Sequence, residues 1–509
     1  MPFHPHFSRR DPTMKRNRTL RRFAPLAGWL AIATPCAVQA QTQVAPPSEA
    51  AVNAATDAYA RLNAGDLQQA IAAARRAVAA APDNLDYRLL LADALLRADQ
   101  DREAYDALVP VQASPDYRVQ SRLAEAADGA GLKVEAAQAY GASARSAPDA
   151  SSRAYLTRSR IALLLQLEDR ETARAEFDAA WTSGVLRGSD ALDTGMLAIA
   201  VGDDVAAQDA FADAERTSPL TGNAALNAGY SARRIGWDAE AVRYFGQGLD
   251  SAAAGEIQLT PQQTFEIRRE VETLQRRWGF VATISQGVDT TVGAGTPGDA
   301  DITQAGAEAY WRVGGYRSGR PVDVFVRAYG TLASDQGGAT GGETVQGWIG
   351  LRWKPLAATN LILEASKMVA LGDLARDDVM VRAAWSMEEG TDLRFDRSSW
   401  PMWRIYADAA RIVDDGQTLG VIDGRAGWTW RFGDRDLLTP FVGVRGGYDS
   451  LLADTTTFSA GPGVAWRHWF RETRHGAPAS YIEAVLGYGF SLSDDDRSEG
   501  AFITFSLNY

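Results

Sequence analysis

From Trp278 to the end of the chain, polarity changes at every second residue. The stretch 420–432 shows it most fully: Asp423, Arg425, Thr429 and Arg431 share one parity, while Ile422, Ala426, Trp428, Trp430 and Phe432 share the other. The same alternation sets Val322, Val324 and Val326 against Asp323, Arg327 and Tyr329, and Ile349, Leu351 and Trp353 against Trp348, Arg352 and Lys354. It recurs with Val379, Val381 and Trp385 against Arg382, and with Val442, Val444 and Tyr448 against Arg445 and Asp449. Ile482, Leu486, Tyr488 and Phe490 oppose Glu483 in the same way. Successive side chains of a strand point to opposite faces, so each segment predicts a strand with one oily and one wet face. A soluble antiparallel sheet also alternates, but it covers its apolar face with a second layer. Two details favour a membrane. Tryptophan and tyrosine gather near strand ends, as interfacial girdles do, and the polar face carries both signs of charge at strand centres, where a wet lumen holds them. Residues 278–509 are therefore expected to form an antiparallel transmembrane β-barrel of about 12–14 strands. Direct segmentation yields 13, an odd number that cannot bring both ends of the barrel to one side. The faulty division is expected in Thr391–Ala410, which contains Pro401.

Before residue 278 the period is longer. Ala70, Ala104, Ala136, Ala173, Ala207 and Ala241 follow one another at intervals of 34, 32, 37, 34 and 34 residues. Four residues beyond each stands a core filler: Ala74, Leu108, Tyr140, Phe177, Phe211 and Phe245. Gly65, Gly131, Gly202 and Gly236 precede four of the alanines by five residues, and Pro82, Pro115, Pro148 and Pro219 close four of the units. The pattern resembles the tetratricopeptide repeat, a helix pair with small residues where its helices touch. One pair cannot cover its own apolar face, whereas a stack does. An all-α tetratricopeptide-repeat solenoid of about six repeats is expected over 51–277. The alternative is an unrelated alanine-rich bundle. Thr260-Pro261 should open a last helix, the polar cap of the stack, running to about Arg277. Such solenoids bind peptides or proteins, and nothing in these repeats names a ligand.

Both termini point to one destination. At the C-terminus, Ala501, Ile503, Phe505, Leu507 and Tyr509 are apolar, and Thr504, Ser506 and Asn508 between them are polar. A last strand ending on a bare aromatic carboxy-terminus resembles the assembly signal of bacterial outer-membrane barrels. Lipid and the barrel assembly machinery are its implied partners. At the N-terminus, Lys15, Arg16, Arg18, Arg21 and Arg22 precede a short apolar core, Phe23–Ala33, and Val38-Gln39-Ala40 offers a cleavage site. Residues 1–40 read as a signal peptide, since this core is too short to span a bilayer as an anchor helix, and 41–50 read as a linker. The expected address is the bacterial outer membrane, with the repeat domain in the periplasm.

Composition narrows the chemistry. The net charge of −12, with no dominant basic stripe, argues against a nucleic-acid partner. The only cysteine, Cys36, lies within the leader, so the mature chain has no disulfide, cysteine nucleophile or zinc-thiolate site. Of the histidines, only His468 and His475 follow the cleavage site, and both read as girdle or loop residues. No catalytic residue, metal or cofactor is assigned. The remaining candidate is a lumen of mixed charge with aromatics. By parity Arg394, Asp396, Arg404, Tyr406 and Asp408 point inward, as do Asp423, Arg425, Arg431, Arg445 and Asp449. Paired carboxylates and guanidiniums beside a tyrosine suit sugar hydroxyls, but such pairs also staple neighbouring strands together.

Three segments carry a more specific likeness: Thr391–Arg411, Leu438–Ser450 and Gly461–Tyr509, above all Ala477–Ile482 and Ser493–Ile503. They resemble the C-terminal domain of the bacteriophage adsorption protein A (NfrA) family. That resemblance implies an outer-membrane protein with periplasmic repeats, encoded beside an inner-membrane glycosyltransferase and implicated in exopolysaccharide export and phage adsorption. The layout is similar to outer-membrane subunits of cellulose and poly-N-acetylglucosamine secretion. The expectation is a polysaccharide-export protein, its barrel a conduit and its repeats a docking scaffold for the synthase or modifying enzymes. Two alternatives stay open: a surface receptor or adhesin with a plugged barrel, exposing loops such as Thr290–Ile302 and Ser334–Glu343, and a barrel enzyme acting on glycan or lipid through a carboxylate pair such as Asp396 and Asp408.

Overall fold

The computed structural model describes residues 48–188, 190–287, 302–334, 337–493 and 498–509. The expected signal peptide, most of the linker and nearly all of the Thr290–Ile302 loop lie outside these residues. By contacts the chain divides into Met1–Glu176 and Phe177–Tyr509.

Thirteen helices precede the barrel among the described residues. In the first unit they are α1 (Glu49–Ala64), α2 (Leu67–Ala80), α3 (Leu85–Arg97), α4 (Asp101–Leu108), α5 (Tyr117–Gly129), α6 (Lys133–Arg145) and α7 (Ala150–Gln166). The boundary falls inside α8 (Arg170–Thr182), after which come α9 (Ala191–Val201), α10 (Asp204–Glu215), α11 (Gly222–Ile235), α12 (Asp238–Ala253) and α13 (Pro261–Gln275). The first twelve alternate as the two arms of six repeats. Side-chain oxygens open many of them: Asp66, Asn84, Asp149 and Asp203 each accept a backbone N–H from the first turn. Four inter-helix turns need a left-handed residue, supplied by Gly65 (φ 80°), Gly131 (φ 76°), Gly202 (φ 83°) and Gly236 (φ 79°). The six periodic alanines sit on the second helices and are fully buried, as are Phe177, Phe211 and Phe245 four residues on. The rings need room opposite: a Cβ at Gly195 would come within 2.6 Å of Phe211, and one at Gly229 within 2.7 Å of Phe245.

From Trp278 the chain builds a closed antiparallel barrel of twelve strands in sequence order. They are β1 (Trp278–Gly287), β2 (Ile302–Val313), β3 (Val322–Ser334), β4 (Gln346–Trp353), β5 (Asn360–Ala370) and β6 (Asp378–Glu389). The circuit continues with β7 (Ser399–Ile412), β8 (Gln417–Phe432), β9 (Asp436–Asp449), β10 (Thr456–Phe470), β11 (Ser480–Ser491) and β12 (Gly500–Asn508). The last strand pairs with the first, and Tyr509 and Phe280 exchange backbone hydrogen bonds of 2.8 and 3.0 Å, so no edge is left open. In β12, Phe505 points outward, exposed, and the outward parity includes Ile503 and Leu507.

The thirteenth segment of the sequence reading is corrected here. Thr391–Ser398 is not a strand but the connection between β6 and β7, and Pro401 lies inside β7. Its alternating look has another cause. Leu393 and Phe395 tuck towards Phe265 of α13, while Arg394 and Asp396 pair with each other outside the cluster.

The outward parity forms an exposed apolar belt that includes Val326, Ile349, Leu351, Val381, Ile422, Val442 and Leu486. Trp278, Trp311, Trp353, Trp428, Trp430 and Trp466 are exposed at the end of the barrel where the chain enters it. In water so much apolar surface would be a liability. In lipid it is the solvent contact, with the tryptophans at one interface. No helix among the described residues is long and apolar enough to cross a membrane.

Candidate functional site

The barrel interior is built from the inward parity of all twelve strands. On β2 to β7 it forms a chain of ion pairs. Arg327 donates to both oxygens of Glu364 (3.1 Å each) and to Glu308 (2.7 and 2.9 Å). Arg352 bridges Glu308 (2.6 Å) and Asp323 (3.3 Å), and Arg312 donates to Asp323 (3.0 Å). Arg382 donates to Asp408 (2.6 and 3.1 Å) and to the Tyr406 hydroxyl, which itself donates to Asp408 (2.5 Å). On β7 to β11, Asp423 takes three arginines: Arg425 at 3.2 Å, Arg445 at 3.4 Å and Arg404 at 3.8 Å. Arg467 clamps Glu483 at 2.5 and 2.7 Å.

Aromatic and aliphatic groups fill the space beside these pairs. Arg445 lies 3.6 Å from the ring centre of Phe502, and Arg327 4.7 Å from that of Phe325. Phe325, Trp348, Met368, Met380, Ile412 and Leu419 make one apolar cluster inside the barrel, and Met402, Phe441, Val485 and Phe502 another. Consequently the paired charges of the mid-barrel are withdrawn from water, whereas Glu388 and Arg404 nearer the helix-side mouth stay partly wetted. Asp423 is 2 % exposed and Arg445 6 %, although both face the lumen. Side chains lining an aqueous channel would be wetted along its length; here they are packed against one another. Buried charges are tolerated only when paired and hydrogen-bonded, which is the arrangement observed.

The helix-side mouth is covered by α13 and the 391–398 segment. Phe265 of α13 packs with Leu393, Trp400, Leu437, Trp469 and Ala477. Arg268 donates to the carbonyls of Thr473 (2.6 Å) and Gly476 (2.9 Å). Arg269 donates to Pro478 O and to Asp392, both at 2.8 Å, and Arg276 donates to Ala479 O. The Gln262 side chain accepts from Phe395 N at 2.6 Å. Two further helices grip neighbouring turns. Asp250 of α12 contacts His475 (2.7 Å) and Arg474 (2.6 Å), and Arg233 of α11 lies over the Tyr316 ring and donates to its hydroxyl (3.1 Å). The hydrogen bond from His475, with Arg474 beside it, holds the Asp250 carboxyl below the usual carboxylate range. The reading of α13 as a polar cap is therefore incomplete. Its buried Phe265, Ile267, Val271 and Leu274 serve both the repeats and the barrel mouth.

The residues singled out in the sequence fall into three places. Arg404, Tyr406, Asp408, Asp423, Arg425 and Arg445 face the interior as described. Arg431 sits at the mouth over Phe395, donating to Gly433 O (2.8 Å), and Asp449 sits at the opposite end, accepting from Gln417 (2.8 and 2.9 Å). Arg394 and Asp396 are the exceptions. They lie on the 391–398 connection, not on an inward strand face, because that segment leaves the ladder. Hydrogen bonds from Arg394, with Arg397 adding to them, hold the Asp396 carboxyl low. Parity alone does not single out Glu308, Glu364 and Arg467, and it gives Arg327, Arg382 and Glu483 no role. Their signal was a charge at mid-strand on the polar parity, which alternation displays without saying which partner it meets. Among the described residues no group of three or more His, Cys, Asp or Glu is placed to hold a metal ion. His468 contacts Asp436 (2.9 Å) instead.

Helical repeats leading into a closed, girdled β-barrel define a tetratricopeptide-repeat outer-membrane-type barrel protein. Residues 337–505 match the family described as Bacteriophage N adsorption protein A C-term, a span that begins after β3 and runs into β12. No curated protein matches the chain. Among solved structures, the chain is similar to Pseudomonas aeruginosa PilF at 18 % identity and a TM-score of 0.32, over 41 % of this chain and 93 % of that one. PilW, a type IV pilus biogenesis factor, is 14 % identical with a TM-score of 0.31, over 45 % and 100 %. YrrB, a tetratricopeptide-repeat protein with an unusual peptide-binding site, is 15 % identical with a TM-score of 0.30, over 36 % and 98 %. The fold assignment rests on the helix pairs and the barrel themselves.

Proposed function

We propose that the protein is an outer-membrane receptor and scaffold with a closed barrel, its repeats held in the periplasm to dock partners and its far-side loops offered to the exterior. One observation supports this reading: most of the mid-barrel inward charges are buried, cross-paired and interleaved with apolar side chains, so the barrel resembles an anchor more than a pore. The matched adsorption family supports a surface-recognition role for the loops opposite α13. The barrel assembly machinery would insert the protein through its last strand, and the solenoid would engage a periplasmic enzyme or an inner-membrane glycan synthase. The protein acts by binding, without catalysis.

Planar-bilayer recording of the refolded full chain tests the proposal. A silent bilayer is expected, and a steady open-channel conductance would overturn it. Polysaccharide export is the second reading, favoured by a polar cavity at the helix-side mouth. It requires α13 and residues 391–398 to withdraw during transit. Loss of a secreted glycan on gene deletion, with the synthase intact, would move the balance to export.

A further inference from the structure

Between α13 and the barrel mouth lies a cavity of about 470 Å³, within the range of about 300–1,000 Å³ typical of small-molecule sites. We propose that it binds a short neutral saccharide. The argument starts from which lining groups are already committed. Arg269 is held by Asp392 (2.8 Å), Arg276 by Glu272 (2.7 Å) and Arg467 by Glu483 (2.5 Å). These pairs neutralise themselves and form the fixed wall.

Four lining groups are not committed. Among the described residues Arg404 makes no side-chain hydrogen bond: its ion-pair approach is 3.8 Å to Asp423, an oxygen set it shares with Arg425 and Arg445, and its charge also acts on Glu483, which Arg467 already holds. Glu388 stands directly across from Arg404 in the β6–β7 register, exposed. Neither these two nor the Tyr481 hydroxyl and the Asn508 amide make a side-chain hydrogen bond among the described residues, and all four line the cavity. Trp469 and Tyr481, ring centroids 4.9 Å apart, supply an apolar wall.

The open inventory is one guanidinium, one carboxylate, one amide and one phenol, with no net charge. A free anion or cation would leave Glu388 or Arg404 opposed by a like charge. A ligand of many hydroxyls satisfies both, because each hydroxyl donates and accepts, while the C–H side of a sugar ring lies against the aromatic wall. The site deepens the second, glycan-handling reading given above, in which the same cavity faces the periplasm, and it does not depend on the receptor reading.

The test uses the full chain in a detergent with an amine-oxide head, since maltoside heads would compete. Calorimetric titration is run with maltotriose, cellotriose and tri-N-acetylchitotriose, and with glucuronate and inorganic phosphate. At least one neutral trisaccharide should bind. Arg404→Gln and Glu388→Gln should each weaken it about tenfold or more, the cost of losing a hydrogen bond to a charged group. The outward-facing Trp466→Phe should leave it unchanged. Heat-modifiable migration on gels reports whether each variant folds, and Glu388→Gln decides should Arg404→Gln fail to. The proposal is overturned by no binding of any neutral saccharide, by binding of glucuronate or phosphate alone, or by binding that both variants leave intact. A silent bilayer together with absent sugar binding would sink this site and spare the receptor reading.

Discussion

Arg327 and Glu364 meet inside the barrel in a two-pronged pair, both hydrogen bonds 3.1 Å long, across β4, which lies between their strands. The same guanidinium also binds Glu308 on β2. Arg327 therefore ties β2, β3 and β5 together through the interior. Among the described residues, Arg327→Met would leave Glu364 with only a 3.8 Å approach from Arg382 and Glu308 with Arg352 alone, both still buried. Breaking a buried pair from one side costs about 3–5 kcal/mol, so the urea midpoint of the folded, heat-modifiable form should fall sharply. The triple variant with Glu308→Gln and Glu364→Gln should recover much of that loss. No recovery would mean that charge is not what the site balances.

The lipid-facing assignment is testable at Val442, midway along β9 and 63 % exposed. In water, arginine at so exposed a position changes stability by within about 0.5 kcal/mol. At the middle of a bilayer it costs about 2–4 kcal/mol. Val442→Arg should thus lower folding yield into lipid vesicles, measured by the folded gel band. An unchanged yield would speak against hydrocarbon on that face.

Acid should loosen the grip of α12 on the β10–β11 turn. The Asp250 carboxyl lies below its ordinary value of 3.8 in the folded chain, so the contact contributes fully above that value. Its contribution is lost as the pH falls through the lower folded value. Hydrogen exchange in 471–479 should accelerate below about pH 4. Asp250→Asn should show the faster exchange already at neutral pH and lose this acid step.

Opening the mouth should reveal whether the plug is what silences the barrel. Phe265→Ala with Arg269→Ala removes the buried ring and the bonds to Pro478 O and Asp392. Transient conductance steps are expected where the parent is silent. If bilayers stay silent with the variant folded, the mid-barrel clusters alone close the lumen.

The repeats have their own test at Gly229. A methyl there would fall 2.7 Å from the Phe245 ring. Gly229→Ala would raise intrinsic helix propensity, yet overpacking costs about 1–3 kcal/mol, so the helical thermal transition should move down. A rise would show that Phe245 has room to turn.

Much of this architecture could be read from the chain. The alanines at 34-residue spacing and the aromatics four residues on announce stacked helix pairs, because a repeated contact demands a repeated small residue. One-in-two polarity after Trp278 announces the strands and sorts Asp423, Arg425 and Arg445 inward, since pleating gives a strand no other choice. The same rule misled at Thr391–Ser398, where alternation arose from a segment folded back on α13.

What the residues determined alone, then, is periodicity and parity: helix pairs, strands, and which side of each is oily. Only the tertiary structure decided what meets across the lumen, because strand number and stagger set which inward side chains share a level. That is why Arg327 finds Glu364, why Phe325 and Phe502 pack beside buried ion pairs, and why Phe265 of α13 meets Leu393 and Trp469 at the mouth. An amphipathic face states that it must be covered, and the assembled barrel supplies the surface that covers it.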